Sequence, residues 1–421
     1  MYQIENVLRP YVWGSTTAIA ELLGRPASGG PEAELWIGAH PDSPSTAVHP
    51  NGVRQALDEL IASDPGHFLG EESVAEFGPR LPFLTKLLAA EQPLSLQVHP
   101  SLEQAREGWA RENAAGLAAG SAERNYKDDN HKPEMIYALT PFRALCGFRP
   151  AAQSRSIFEH LATVMDSAAM DVPAIITGVI EDLCRAEESA ALKAAFTRLI
   201  EGGREVSEAV VEVESVLRSG APREPHEEAL TAMLGINEAF PGDPGVLISL
   251  LLNHLTLEPG DAVYLPAGNV HAYIHGLGVE VMATSDNVLR GGLTPKHVDV
   301  PELLKTVRFE ALGVPHVVAE GTEFGQELYR PPFKEFQLQR IELGPTAEPV
   351  PLAQTGPAVV VVVSGSVVLD SPKSDLRLER GAAAFIPEVE NPVNVHPVQG
   401  ATETSVAFAV TTGLSSWAKG N

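Results

Sequence analysis

Apolar positions along the chain change their period twice. Up to about residue 150 they form short runs broken by glycine and proline, as expected of strands joined by tight turns. Tyr11-Val-Trp-Gly14 and Ala33-Glu-Leu-Trp-Ile-Gly-Ala-His-Pro41 read as short strands and turns, and Thr17 to Gly24 as a short helix ended by glycine. Residues 53–63 and 102–118 have helical spacing. Leu81 to Leu88 is an apolar run around Lys86, and Pro93 to His99 reads as a buried strand.

From 150 to about 240 the period becomes helical. Leu192, Phe196, Leu199 and Ile200 form one stripe, Val206, Val210, Val213 and Leu217 another, and Glu227 to Phe240 continues the pattern. Pro241-Gly-Asp-Pro-Gly245 closes this segment, and Val246 to Leu257 reads as strand again. From Gly356 onward the chain is β-like, with Ala358 to Val363 a buried strand.

Glu258-Pro-Gly-Asp-Ala-Val-Tyr-Leu-Pro-Ala-Gly-Asn-Val-His271 carries two turns around a short β run, after which His271 opens a strand. The spacing resembles a cupin motif, in which an inward histidine of a double-stranded β-helix binds metal. Leu378-Glu-Arg-Gly-Ala-Ala-Ala-Phe-Ile-Pro387 repeats the layout, with Pro392 where His271 stands. Proline offers no donor atom, so the second copy is expected to lack a metal site. The fold expected is mainly β with a helical subdomain. A catalytic cupin-like barrel would span 1–149 and 246–312, interrupted by a helical insertion at 150–245 and followed by a second, metal-free barrel at 313–421.

Gln97 and His99 lie two apart and share a strand face. In Asn130-His-Lys-Pro-Glu-Met135, Pro133 favours extended backbone, so Glu134 can begin an inward-pointing strand. Gln97, His99, Glu134 and His271 together make a mixed N/O donor set that suits Zn²⁺, with Fe, Co, Ni or Mn as alternatives.

Composition narrows the partners. The 421 residues exceed one ordinary core, and 55 acidic against 30 basic side chains leave a net charge of −25. Such a surface disfavours nucleic acid and anionic membranes, and an anionic small substrate then needs a local basic cluster. Two cysteines, Cys146 and Cys184, with no secretory leader or membrane-spanning run, point to a cytoplasmic chain. Nothing in the sequence suggests an obligate interface, so a monomer is expected.

Leu94-Ser-Leu-Gln-Val-His-Pro100, His131-Lys-Pro-Glu134, Tyr264-Leu-Pro-Ala-Gly-Asn-Val-His271 and Gly278-Val-Glu-Val-Met-Ala-Thr-Ser-Asp-Asn-Val-Leu-Arg290, followed by Gly-Gly-Leu-Thr-Pro-Lys296, resemble the type I phosphomannose isomerases. The resemblance implies one zinc held by Gln97, His99, Glu134 and His271. It also implies an active-site Arg290, with Lys132, Glu280, Lys296 and Ser95 around the same pocket. The implied reaction interconverts mannose 6-phosphate and fructose 6-phosphate through a cis-enediol, moving a proton between C2 and C1. Glu280 is the candidate base, because the Gly278 to Met282 alternation can aim it inward, with a zinc-bound hydroxide as the second candidate. Arg290 offers a planar fork for phosphate or enediolate oxygen, and Lys296 and Lys132 add point charges. Lys86 reads as a snorkelling or ion-paired lysine, and His40, His254, His275 and His297 as structural or peripheral. Two rival readings remain: another metal-dependent cupin enzyme acting on a sugar phosphate, and a non-catalytic sugar-binding cupin.

Overall fold

Strands gather into sheets of nine, ten and four members, with a run of helices between Ala151 and Ile248. The computed structural model describes residues 1–414 apart from 119 and 122. The fold is mainly β with a helical segment. Among the described residues no helix is long and apolar enough to cross a membrane.

The thirteen-residue strand His271–Ala283 is the axis of the ten-stranded sheet. Its first part pairs with Gln97–Val98 and Phe142–Phe148, and its later part with Phe83–Ala90 and Glu134–Ala138. A register shift between Tyr273 and His275 separates the two parts, and Gly276 follows it at φ 131. A Cβ at Gly276 would lie 2.8 Å from the Phe142 ring, so only glycine fits this bend.

Strand alternation then assigns the two faces. Leu35, Ile37, Leu87, Met135, Tyr137, Val279 and Val281 pack against Leu338, Val359, Val361, Phe385 and Phe408 of the nine-stranded sheet. The intervening residues Glu34, Trp36, Lys86, Glu134 and Glu280 face the other way, yet are also buried.

The helices Glu188–Glu201 and Gly203–Arg218 bury the stripes expected of them. Their core is shared with the backs of the strands: Leu96, Val98, Val270, Ala272 and Leu289 belong to the same apolar cluster as Phe196 and Val210. Phe196 meets Phe148 edge to face at 6.0 Å.

Four local expectations are revised. Val246 to Leu257 begins as the helix Pro244–Ile248 and the 3-10 turn Ser249–Leu251, and the strand starts only at Leu252. Val246 to Leu252 is buried throughout and carries no period to separate helix from strand. Only Gln97–Val98 of the 93–99 stretch is strand, because Leu94 bonds to Tyr273 whereas Leu96 bonds to Gly291 and Gly292, on a different segment. Residues 53–63 divide into the strand Arg54–Ala56 and the helix Leu57–Ser63. The 102–118 helix ends at Ala114.

The nine-stranded sheet draws strands from both ends of the chain. Tyr2–Glu5 pairs with Ala383–Ile386, and Thr46–Val48 and Arg54–Ala56 follow it into the nine-stranded sheet. These strands cover an edge that the C-terminal strands alone would leave open. The internal echo is visible in backbone form: Gly260 and Gly381 both turn at positive φ between successive strands.

His254, on Leu252–Leu257, is enclosed, with Nε2 2.9 Å from the Ser249 carbonyl. Burial, aided by Arg149, pushes its imidazole down to about 3. The unfolded chain therefore binds a proton that the folded chain refuses between about pH 6.5 and 3, so stability falls as pH drops through that window. The slope from this group is about 1.4 kcal/mol per pH unit. His254→Gln should flatten that part of the acid limb in urea unfolding measured at successive pH values, and an unchanged limb would show that His254 is not its source.

Candidate active site

His99, Glu134 and His271 are brought together from three separate strand ends, all nearly inaccessible, with one donor atom of each within 4.8 Å of the others. His99 Nδ1 lies 2.8 Å from the Asn287 carbonyl, and His271 Nδ1 lies 3.0 Å from the Asn269 carbonyl. A carbonyl only accepts, so each Nδ1 carries the proton and each Nε2 presents a lone pair. Those two Nε2 atoms face Glu134, at 3.3 Å from Oε1 and 3.4 Å from Oε2. Two lone pairs aimed at a carboxylate repel it unless a cation lies between them. His99 Nε2 has no hydrogen-bond partner. The donor set thus fits a metal ion, and the carbonyl partners fix the imidazole tautomers a metal requires.

Burial pushes His99 down to about 4, so it stays neutral at pH 7. Burial alone would raise Glu134, but the Lys132 ammonium, 2.9 Å from Oε1, holds it well below the usual carboxylate range.

Gln97 is the register partner of both His271 and Arg290. Directly opposed residues share a face, so His271, Gln97 and Arg290 project in a row. The Gln97 amide nitrogen donates to Ser95 Oγ at 3.3 Å, which leaves the amide oxygen available as a donor to metal.

Glu280, Lys86 and Trp36 form a second row across adjoining strands. Lys86 Nζ lies 2.8 Å from Glu280 and 3.5 Å from Glu34, and sits over the Trp36 ring at 5.4 Å. Trp36 Nε1 donates to the other Glu34 oxygen at 2.6 Å. Burial favours neutral Lys86, yet the Glu280 and Glu34 carboxylates raise it above the ordinary lysine value. Glu280 is raised first by burial, then by Glu134 and Glu34, against the opposing pull of Lys86. Lys86 is therefore a buried ion-pair member at the site, a role its place in the sequence had left open. A lysine in the middle of an eight-residue buried strand was the available signal, since such a charge needs a carboxylate beside it.

A cavity of about 1100 Å³ opens beside these rows. Arg290, Lys296 and Lys127 line it, and no carboxylate pairs with any of the three among the described residues. Burial lowers the Arg290 guanidinium, and burial followed by Arg290 and Lys127 lowers Lys296. His40 and His297 also line this cavity; His40 Nε2 is 3.5 Å from Asp286. His254 and His275 lie away from it. Ser95, Gln97 and the three clustered donors are not in the cavity wall itself, and Arg290 joins the two regions through its register with Gln97.

A family model, phosphomannose isomerase type I, catalytic domain, matches residues 1–151. Mannose-6-phosphate isomerase of Escherichia coli (strain K12) is 39% identical over 398 residues, covering 94% of this chain and 97% of that protein. The chain belongs to the type I phosphomannose isomerase family. The human mannose-6-phosphate isomerase is 31% identical over 92% of this chain and 93% of its own length. A mutant phosphomannose isomerase from Salmonella typhimurium superposes with a TM-score of 0.86 at 36% identity, over 98% of this chain and 99% of that one. A zinc-bound mannose 6-phosphate isomerase structure gives 0.84 at 35% identity, over 98% and 99%.

In this phosphomannose isomerase family member, Lys86→Met would leave Glu280 and Glu34 buried without their cation. The expected loss is about 3–5 kcal/mol in urea unfolding of the metal-free protein. Adding Glu280→Gln should recover part of it. Equal stability of Lys86→Met and wild type would show that the pair contributes nothing.

Proposed function

We propose that the protein is a zinc-dependent isomerase that interconverts D-mannose 6-phosphate and D-fructose 6-phosphate. Membership of the family supports this, and so does the zinc-bound neighbour. The observation that carries the reading is the row His271, Gln97, Arg290, which joins a cluster of metal-type donors to a cavity lined by unpaired cations. The rival readings, another cupin enzyme or a sugar-binding module, find no support in the relatives.

Gln97, His99, Glu134 and His271 would hold the zinc, which when bound supplies a Lewis acid that polarises or orders the sugar oxygens. The remaining work falls to side chains. Arg290 offers two parallel donors to a phosphate or enediolate oxygen, and Lys296 supplies a further positive charge at the cavity wall. Ser95 keeps the Gln97 amide oriented. Lys132 balances Glu134.

Glu280 is our candidate for the base that removes the C2 proton and returns it at C1. Its raised pKa makes it a better acceptor than an exposed carboxylate, while Lys86 at 2.8 Å keeps it ionised. Tyr273, raised well above the ordinary tyrosine range by burial and then by Glu280, stays protonated beside it.

We further assign the fold to two cupin-like barrels, the first carrying the metal, with residues 150–245 as a helical insertion. We keep a monomer as part of this reading. Both cysteines are unpaired thiols, in keeping with the cytoplasm.

Turnover of mannose 6-phosphate should vanish on chelation and return with Zn²⁺. His271→Ala should lose metal and activity together, whereas Arg290→Ala should keep its zinc and lose about 10²-fold or more in kcat/KM. Full turnover by metal-free His271→Ala would rule out the metal-dependent reading, and an inert zinc-loaded wild type would rule out the substrate.

A further inference from the structure

The loop from Gly291 to Lys296 carries one of the cavity cations and follows directly on another, Arg290. Its backbone is unusual. Leu293 is buried and adopts φ 54, a conformation that leucine rarely accepts. Such a conformation persists only when the surroundings impose it.

Those surroundings belong to the helical segment. Asp243 Oδ1 accepts from the Leu293 N–H and from the Gly245 N–H, both at 2.7 Å, and Oδ2 is 3.4 Å from the Thr294 nitrogen. The approach is too close for side chains. A Cβ at Gly292 would lie 2.9 Å from Asp243 Oδ1, and one at Gly245 would lie 2.7 Å from Leu293 Cγ. Gly292 meanwhile accepts from the Leu96 N–H at 3.1 Å, next to Gln97. The carboxylate therefore pins the loop on one side while the site strand pins it on the other.

We propose that Asp243 is a positioning residue, whose carboxylate holds the Gly291–Lys296 loop in its strained form and so fixes Arg290 and Lys296 for the phosphate end of the substrate. The helical segment thus sets anion affinity through a single side chain. The proposal rests on the phosphate-holding role assigned above to Arg290 and Lys296.

The test compares zinc-loaded wild type, Asp243→Ala and Asp243→Asn in three measurements: calorimetric affinity for inorganic phosphate, KM with kcat for mannose 6-phosphate, and zinc content. Asp243→Ala should bind phosphate about tenfold or more weakly, the scale of one lost charge-assisted hydrogen bond. KM should rise in parallel, with zinc retained and kcat nearly unchanged. Asp243→Asn keeps one acceptor oxygen and should fall between the two. If Asp243→Ala does not fold, Asp243→Asn carries the test alone through its weaker phosphate binding. Phosphate affinity equal to wild type in the folded variant would overturn the proposal, as would a loss of zinc that accounts for the whole defect. A wild type that binds phosphate without turning over mannose 6-phosphate would sink the isomerase reading, while the phosphate titrations would still decide the role of Asp243.

Discussion

Everything at the site depends on keeping charge inside a sheet that is buried on both faces. Glu34, Glu134 and Glu280 place three carboxylates on one inner face, where Lys86 pairs with Glu34 and Glu280 and Lys132 pairs with Glu134. Fully ionised, the group carries one excess negative charge, and the two histidines add lone pairs instead of protons. Desolvated charge of this kind is costly unless it is compensated. A divalent cation among His99, Glu134 and His271 would reverse the sign of the cluster. The interior would then favour an anion, although the protein as a whole is strongly acidic.

The rest of the fold follows from holding these groups in line. Each strand that shows a functional residue inward shows an apolar one outward, so both backs need cover. The nine-stranded sheet covers Leu35, Leu87 and Val279, behind Glu34, Lys86 and Glu280. The helices cover Leu96, Val98, Val270, Ala272 and Leu289, behind Gln97, His99, His271 and Arg290. The lysine–glutamate row is thus supported by one layer and the metal-donor row by another.

Much of this was legible before any coordinates. His99, Glu134 and His271 announced themselves through residue type and turn spacing, and the helical stripes through a period of 3.6. Registers were not legible, because a strand pattern fixes which face a residue occupies and not which neighbour it meets. That is why the sequence leaves Lys86 between snorkelling and ion pairing, whereas its register with Glu280 and Trp36 shows the pair. The contact of His40 with Asp286 was hidden for the same reason, since the two lie 246 positions apart. The strand boundary at Leu252 failed because Val246 to Leu252 is apolar but for Ser249 and fully enclosed, and propensity yields to packing in such a run.

The helical segment is easily taken for a lid, but its contacts argue for a brace. A lid touches the site from the front and has little apolar area committed to the scaffold. Here Phe196 and Val210 share one continuous core with the strand backs, and Phe148 joins them through ring contacts at 6.0 Å and, with Phe309, at 5.5 Å. Moving the helices away would expose that core, a cost far above that of opening a loop. Their influence on the chemistry must therefore be static, exerted through where they place backbone. The Asp243 carboxylate is where that influence becomes polar and directional, because it bonds to the one stretch of the loop that leucine would not otherwise adopt.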